Sequence, residues 1–218
     1  MRFVLGSRSP RRRELLQSVV GAERLIVRPP TNSDEEGLQG LHDEASIRER
    51  LNRIVQAKMQ NVAASVQSEF EAGANSVCVI TADTIVVAQD PRLGPVVLGQ
   101  PAAPAWQDDV RDWMLRLYSA TTHEVWTGFQ LRFGDQSHDQ IVISKVGFCQ
   151  LTSVMVERYI VTGESIGKAG GYAVQGAAAA FVESIEGSLT NIIGLPVIEV
   201  TRAMESMGID VWSTEQTE

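Results

Sequence analysis

The sequence predicts an α/β protein with a mixed central sheet and flanking helices. Three observations point there. Val125, Thr127, Phe129, Leu131 and Phe133 alternate strictly, the two-residue period of a half-buried strand, and Ile141–Gln150 returns beside it after the polar stretch Gly134–Gln140. Ile47, Leu51, Ile54, Val55, Met59, Val62 and Val66 recur every three or four residues, the stripe of a long amphipathic helix. Val77-Cys78-Val79-Ile80-Thr81-Ala82 is rich in β-branched residues and runs through Asp83-Thr84 into Ile85-Val86-Val87, the pattern of a strand buried on both faces.

The elements follow in order. Arg2–Leu5 is a short buried strand that runs into Gly6-Ser7-Arg8-Ser9-Pro10. Ser9 before Pro10 is a helix start, with serine as the cap and proline in the first turn, and Leu15, Leu16, Val19 and Val20 face inward. Pro29–Gly40 is a polar, acidic loop, and the long helix spans about Asp43–Ala72. Asp90-Pro91 and Gly94-Pro95 mark turns, and a helix covers about Ala105–Leu117. After the hairpin, Ser153–Thr162 is a short helix ending at Gly163, Gly167–Gly176 is glycine-rich, and Ala177–Ile185 is a strand. Gly187–Leu195 is a loop, Pro196 opens a final helix stopping at Gly208, and Ser213–Glu218 is a frayed tail. The 218 residues make one domain over 1–212, either a single unit or two closely joined lobes.

Composition narrows the function classes. Nineteen Lys and Arg against 27 Asp and Glu leave a net charge of −8, which disfavours nucleic acid and anionic membranes as partners. Any anionic ligand must be caught by a local basic cluster. No apolar run reaches the roughly 20 residues of a membrane span, and Phe3-Val4-Leu5 is too short for a signal peptide core. Cys78 and Cys149 stand apart in apolar contexts, as small buried hydrophobes in a reducing compartment. A cytoplasmic protein is expected.

Several residues carry chemistry. Arg8, Arg11, Arg12 and Arg13 crowd the start of the first helix, where backbone N–H groups are unpartnered and each cation costs about 0.3–1 kcal/mol. A bound anion reverses that sign; together with Ser7 and Ser9 the cluster suits a polyphosphate, the alternative being a solvated basic face. Asp83 interrupts an apolar strand, so it is either a structural cap or a ligand for Mg²⁺ or a base for water. Lys58 falls inside the helix stripe, either snorkelling out or pointing into a cleft. Asp34-Glu35-Glu36 is an acidic trio in the first long loop, solvated or functional. Gly163–Ala169 fails as a P-loop, because its glycines are too close and Ala169 stands where a hydroxyl should be. The glycines of 167–176 could still bring backbone near a ligand, with Gln175 reading a base edge. His42, His123 and His138 are scattered, so neither a zinc site nor a Ser-His-Asp triad is supported, and His123 reads as structural.

Five segments in order resemble the Maf family of nucleoside triphosphate pyrophosphatases over roughly residues 3–205. They are Ser7–Leu16, Ala82–Val86, His123–Gly128, Lys168–Gly176 and Asn191–Pro196. The resemblance implies a mixed sheet in two lobes around a deep cleft, similar to inosine triphosphate pyrophosphatases. It implies hydrolysis of a nucleoside triphosphate to the monophosphate and pyrophosphate with a divalent cation (Mg²⁺, Mn²⁺ or Co²⁺), in a possible homodimer. On this resemblance Asp83 is the proton acceptor and Glu35, or its neighbour Glu36, is the loop glutamate, Asp83 and Glu35 holding the metal. Lys58 is the helix lysine, Ser7, Arg11 and Arg12 hold phosphate, and Lys168 joins the substrate-binding set. The set Arg11, Thr84 and Gln175 is similar to the branch acting on dTTP and UTP rather than on 7-methylguanosine triphosphate. A non-enzymatic, nucleotide-sensing regulator of cell division is the alternative. Gln100 stands where the family usually has a phosphate-facing lysine, with Arg13 as a candidate substitute; Gly167 and Ala120 also depart from the pattern.

Overall fold

The computed structural model describes residues 1–31, 37–38, 40–66 and 77–212. Among them the chain runs β1 (Arg2–Gly6), α1 (Pro10–Val20), β2 (Leu25–Val27), α2 (Glu44–Ser65), β3 (Val77–Asp90) and β4 (Gly94–Leu98). It continues with α3 (Trp106–Asp112), β5 (Thr122–Phe133), β6 (Gln136–Phe148), α4 (Ser153–Val161), β7 (Val182–Glu186), α5 (Leu189–Ile193) and α6 (Val197–Ser206). The described strands form one mixed sheet of seven, in the order β2-β1-β3-β5-β6-β7, with β4 also pairing β3. β1 is parallel to β2 and β3; the other pairings are antiparallel.

The predicted starts of the first two helices hold. Ser9 caps α1 with Pro10 in the first turn, and Asp43 caps α2 by accepting from the Ser46 N–H at 2.8 Å. The stripe of α2 covers one sheet face, with Ile47, Leu51 and Val55 against Ile85, Val87 and Trp126, and Met59 and Val62 against Val4 and Val79. α1 and α6 cover the other face, where Leu16, Val20, Val200 and Met204 meet Phe3, Leu5, Ile80 and Phe129. Each such side chain contributes about 1.5–3 kcal/mol by leaving water. A further cluster gathers Val86 and Ala88 from the far half of β3 with Val110, Met114, Tyr118, Phe148 and Tyr159. Cys78 is buried as expected, which pushes its thiol up to about 12.

Several boundaries differ from the sequence reading. The hairpin turns within Gly134 and Asp135, because Gln136–Gln140 pair with β5 through their backbone while most of their side chains face water. β4 reads as a turn by sequence, yet its Gly94-Pro95 start pairs along β3, where a sheet edge tolerates proline. The helix of 105–117 is α-helical only through Asp112 and widens into a π-type turn over Trp113–Tyr118. Ala177–Phe181 forms 3₁₀ turns before β7, and the predicted loop 187–195 holds α5, capped by Ser188. β2, at three residues, is too short to show a period. α2 ends at Ser65 with Val66 as its cap; residues 67–72 of the predicted helix, and the tail 213–218, lie outside the described residues.

His123 is structural, as expected: it is 1% exposed and its Nε2 lies 2.8 Å from the Tyr172 hydroxyl. Burial lowers its pKa from 6.5 to about 3. The ring stays neutral in the folded chain while an unfolded chain takes up a proton. Its contribution to stability is thus present above about pH 6.5 and is lost as pH falls towards about 3. We expect about 1 kcal/mol of stability to disappear between about pH 6.5 and 5.5 on this account. Urea unfolding of wild type and His123→Gln at the two pH values checks it: the variant's loss should be smaller by that amount.

Candidate active site

The central strand β3 is paired without interruption along the β5 edge, from Cys78 to Val87. Its other edge is shared. β1 pairs with Val77–Thr81 and β4 with Val86–Asp90, so in these registers Ala82–Ile85 are left between two partners. Asp83 and Thr84 occupy that gap. Strand alternation sends them to opposite faces. Asp83 turns towards α2, where its Oδ1 accepts from the Lys58 ammonium at 2.7 Å; both side chains are largely buried. Lys58 therefore points into the interior of the site rather than out to solvent.

Thr84 turns to the α1 face and meets Arg12. The Arg12 guanidinium donates through Nε to the Gly194 carbonyl at 2.8 Å, through Nη1 to Ser7 Oγ at 3.2 Å and through Nη2 to Thr84 Oγ1 at 2.9 Å. Thr84 Oγ1 is also 2.9 Å from Thr127 Oγ1, which donates to the Asn191 carbonyl at 3.2 Å. Arg12 thus ties the α1 start to β3 and to the end of α5. Ser7 Oγ accepts from the Ser9 N–H at 3.1 Å as well as from Arg12, which commits both its lone pairs and leaves its own proton to donate.

A cavity of about 690 Å³ opens at this gap, a volume that suits a nucleotide-sized ligand. Its wall includes Ser7, Arg11, Arg12, Lys58, Asp83, Thr84, Lys168 and Gln175, every described residue of the expected set. Glu35, with its neighbours Asp34 and Glu36, lies outside the described residues. Gln100 also lines the cavity, whereas Arg13 is exposed and is not part of the wall, so Arg13 does not replace the missing lysine.

The charge balance of the wall is opposite to that of the chain. Among the described residues it carries Arg8, Arg11, Arg12, Lys58 and Lys168 against the single carboxylate of Asp83. Arg11 is partly buried, and desolvation lowers its pKa. Lys168 is lowered by burial first and by the Arg11 charge second, with Glu164 opposing both; its ammonium donates to the Glu164 backbone carbonyl. Two partly desolvated cations in one cavity, the first lowering the pKa of the second, are stabilised by a multiply charged anion.

The loop carrying Lys168 and Gln175 rests on an aromatic floor. Tyr118 donates to the Gly170 carbonyl at 3.0 Å, and the Tyr159 hydroxyl is 3.2 Å from the Gly171 carbonyl. Gly170 has φ +69°, and a Cβ there would lie 2.5 Å from Val86 Cγ2, so both conformation and space require glycine. The chain's three tyrosines, Tyr118, Tyr159 and Tyr172, all serve this floor. Sequence reading missed them, along with Thr127, Asn191 and Glu164, because partners 12 to 72 residues away leave no local period. Gln175 itself is exposed at the cavity rim.

Fold and cavity together define the class: a mixed-sheet α/β protein with a pocket that is cationic but for one largely buried carboxylate among the described residues. The family model described as Maf-like protein matches residues 2–207, and the chain belongs to that family. Curated relatives agree over nearly their full length. A protein of Anaeromyxobacter dehalogenans named dTTP/UTP pyrophosphatase is 37% identical over 211 residues, covering 95% of this chain and 94% of its own. Proteins of the same name from Albidiferax ferrireducens and Pyrococcus furiosus are 33% and 34% identical, covering 95% and 94% of this chain and 97% and 94% of theirs.

Proposed function

We propose that this chain hydrolyses dTTP and UTP to the monophosphate and pyrophosphate by attack of water on the α-phosphorus. The observation that carries the reading is the position of Asp83. It sits in the gap of β3, held by Lys58, and faces a cavity whose wall is otherwise cationic. Arg11, Lys168 and the Ser7 hydroxyl grip the β- and γ-phosphates, Arg12 fixes Ser7 and Thr84, and Lys58 sets the Asp83 carboxylate. Asp83 takes the proton of the attacking water, the bond from the α-phosphorus to the bridging oxygen breaks, and pyrophosphate leaves. Gln175 and Thr84 face the pyrimidine.

A divalent cation fits this donor set. Among the described residues no three His, Cys, Asp or Glu side chains come together, but Asp83 is a hard oxygen donor beside a polyphosphate pocket. Mg²⁺ is commonly held by one or two carboxylates with substrate phosphates completing its shell, so Asp83, with Glu35, would hold it. When bound, it supplies Lewis acidity that lowers the pKa of water and neutralises phosphate charge.

The acting unit in this reading is one domain over 1–212, its two lobes meeting at the β3 gap to form a deep cleft like that of inosine triphosphate pyrophosphatases. Separate apolar clusters around the two halves of β3 support it. It works in the cytoplasm, as a homodimer and without nucleic acid, in keeping with its free thiols and net charge of −8. No helix among the described residues is long and apolar enough to cross a membrane.

Purified protein with Mg²⁺ or Mn²⁺ and a nucleotide panel tests the activity. Pyrophosphate release should be fastest with dTTP and UTP; release only from 7-methylguanosine triphosphate would move the substrate, and release from none would favour a nucleotide sensor. Restoring the cation with Gln100→Lys should lower KM for UTP about tenfold, the worth of one added charge-assisted hydrogen bond. Steady-state kinetics of that variant check it.

A further inference from the structure

Glu164 lies outside the cavity wall, yet it is bonded to both ends of the loop that supplies Lys168 and Gln175. Its backbone carbonyl accepts from the Lys168 ammonium. Its carboxylate reaches the other end. Oε2 accepts from the Ala177 N–H at 2.7 Å, and Oε1 lies 3.4 Å from the Ala178 nitrogen and 3.1 Å from the Tyr159 hydroxyl. Tyr159 in turn stands 3.2 Å from the Gly171 carbonyl, in the middle of the same loop. One side chain therefore holds the backbone just after Gln175 and, through Tyr159, the glycines before it.

The same carboxylate also fills the space beside Gly176. A Cβ on Gly176 would lie 1.9 Å from Glu164 Oε2, although φ there is −111°, a value any residue adopts. A side chain at 176 would have to displace the carboxylate from its place, while the backbone itself would accept one. The residue after Gln175 and the acid of the network are matched in shape.

Resting on the proposed activity, we infer that Glu164 is a positioning residue for nucleotide recognition: it fixes the 167–178 loop so that Lys168 meets phosphate and Gln175 meets the base. It touches no reacting atom. Its loss should appear in binding and base choice while the chemistry at Asp83 continues.

The test uses the full chain with four variants: Glu164→Ala, Glu164→Gln, Gly176→Ala and the double Glu164→Ala/Gly176→Ala. Turnover of UTP and GTP is followed by pyrophosphate release, and the Kd of α,β-imido-UTP is read by calorimetry. Glu164→Ala should raise KM and Kd for the uridine nucleotide about tenfold or more and lower the UTP-over-GTP preference by a similar factor. kcat should stay within about threefold. Glu164→Gln, whose amide oxygen still accepts from Ala177, should lose only about threefold. Gly176→Ala alone should reproduce the loss by displacing the carboxylate, and should add nothing where the carboxylate is already gone.

Unchanged KM, Kd and preference in Glu164→Ala would overturn the inference. So would additive effects in the double variant, or a fall in kcat and melting temperature with base preference intact, the sign of a merely structural role. If wild type releases no pyrophosphate from UTP, the proposed activity fails, and the Kd values for α,β-imido-UTP and inorganic pyrophosphate still decide Glu164. Wild type binding neither probe would sink both.

Discussion

Replacing Asp83 by asparagine is expected to cut kcat on UTP on the order of 10³-fold while KM changes little, since a positioned general base contributes about 10²–10⁴. Asparagine keeps the shape and can still accept from Lys58, so the change removes charge and basicity with little loss of volume. The chain should remain folded. Losing a charge-assisted bond to a largely buried lysine costs about 1–3 kcal/mol, which a thermal melt reads as a lower midpoint with an intact cooperative transition. Wild-type turnover in Asp83→Asn would mean that the base is another group. A chain that fails to fold would show that the pair is needed for the fold, and Lys58→Gln, which leaves the carboxylate in place, would then separate the two roles.

The second large effect is on the other side of the cavity. Arg11 makes no hydrogen bond or ion pair with other described residues, unlike Arg12, whose donors reach Gly194, Ser7 and Thr84. Arg11→Ala should lower kcat/KM for UTP by about 10- to 150-fold, the worth of a charge-assisted hydrogen bond to phosphate. Inhibition by pyrophosphate should weaken in parallel. Arg13→Ala, exposed and outside the wall, should alter both by less than about twofold, so the pair of variants distinguishes a local grip from the field of a basic helix end. Arg11→Ala should not destabilise the fold. Its desolvated charge is unfavourable without a ligand, and removing it relieves Lys168.

These two residues also show what could be read from sequence. The alternation in β5, the stripe of α2 and the Ser9-Pro10 start of α1 are local signals, and each became the element it predicted. Asp83 was conspicuous because a carboxylate inside an apolar strand needs a partner, and Lys58 because a lysine inside an apolar stripe needs a reason to be there; they proved to be each other's partner. What sequence could not show was the gap in β3. That gap depends on β1 and β4 sharing one edge, and β4 reads as a turn. The polar network from Arg12 through Thr84 and Thr127 to Asn191 is likewise assembled from four distant segments. Glu164 carries no local signal after its helix end, and only the amides of Ala177 and Ala178, 13 and 14 positions on, give it a task.

The phosphorus that the cavity presents to water decides the reaction. Hydrolysis of UTP in ¹⁸O-labelled water, with products separated and their phosphates analysed by mass, tests this most directly. The arrangement of Asp83 against a grip on the outer phosphates requires UMP carrying one ¹⁸O and unlabelled pyrophosphate. Label in pyrophosphate, or UDP and labelled inorganic phosphate as the products, would contradict it.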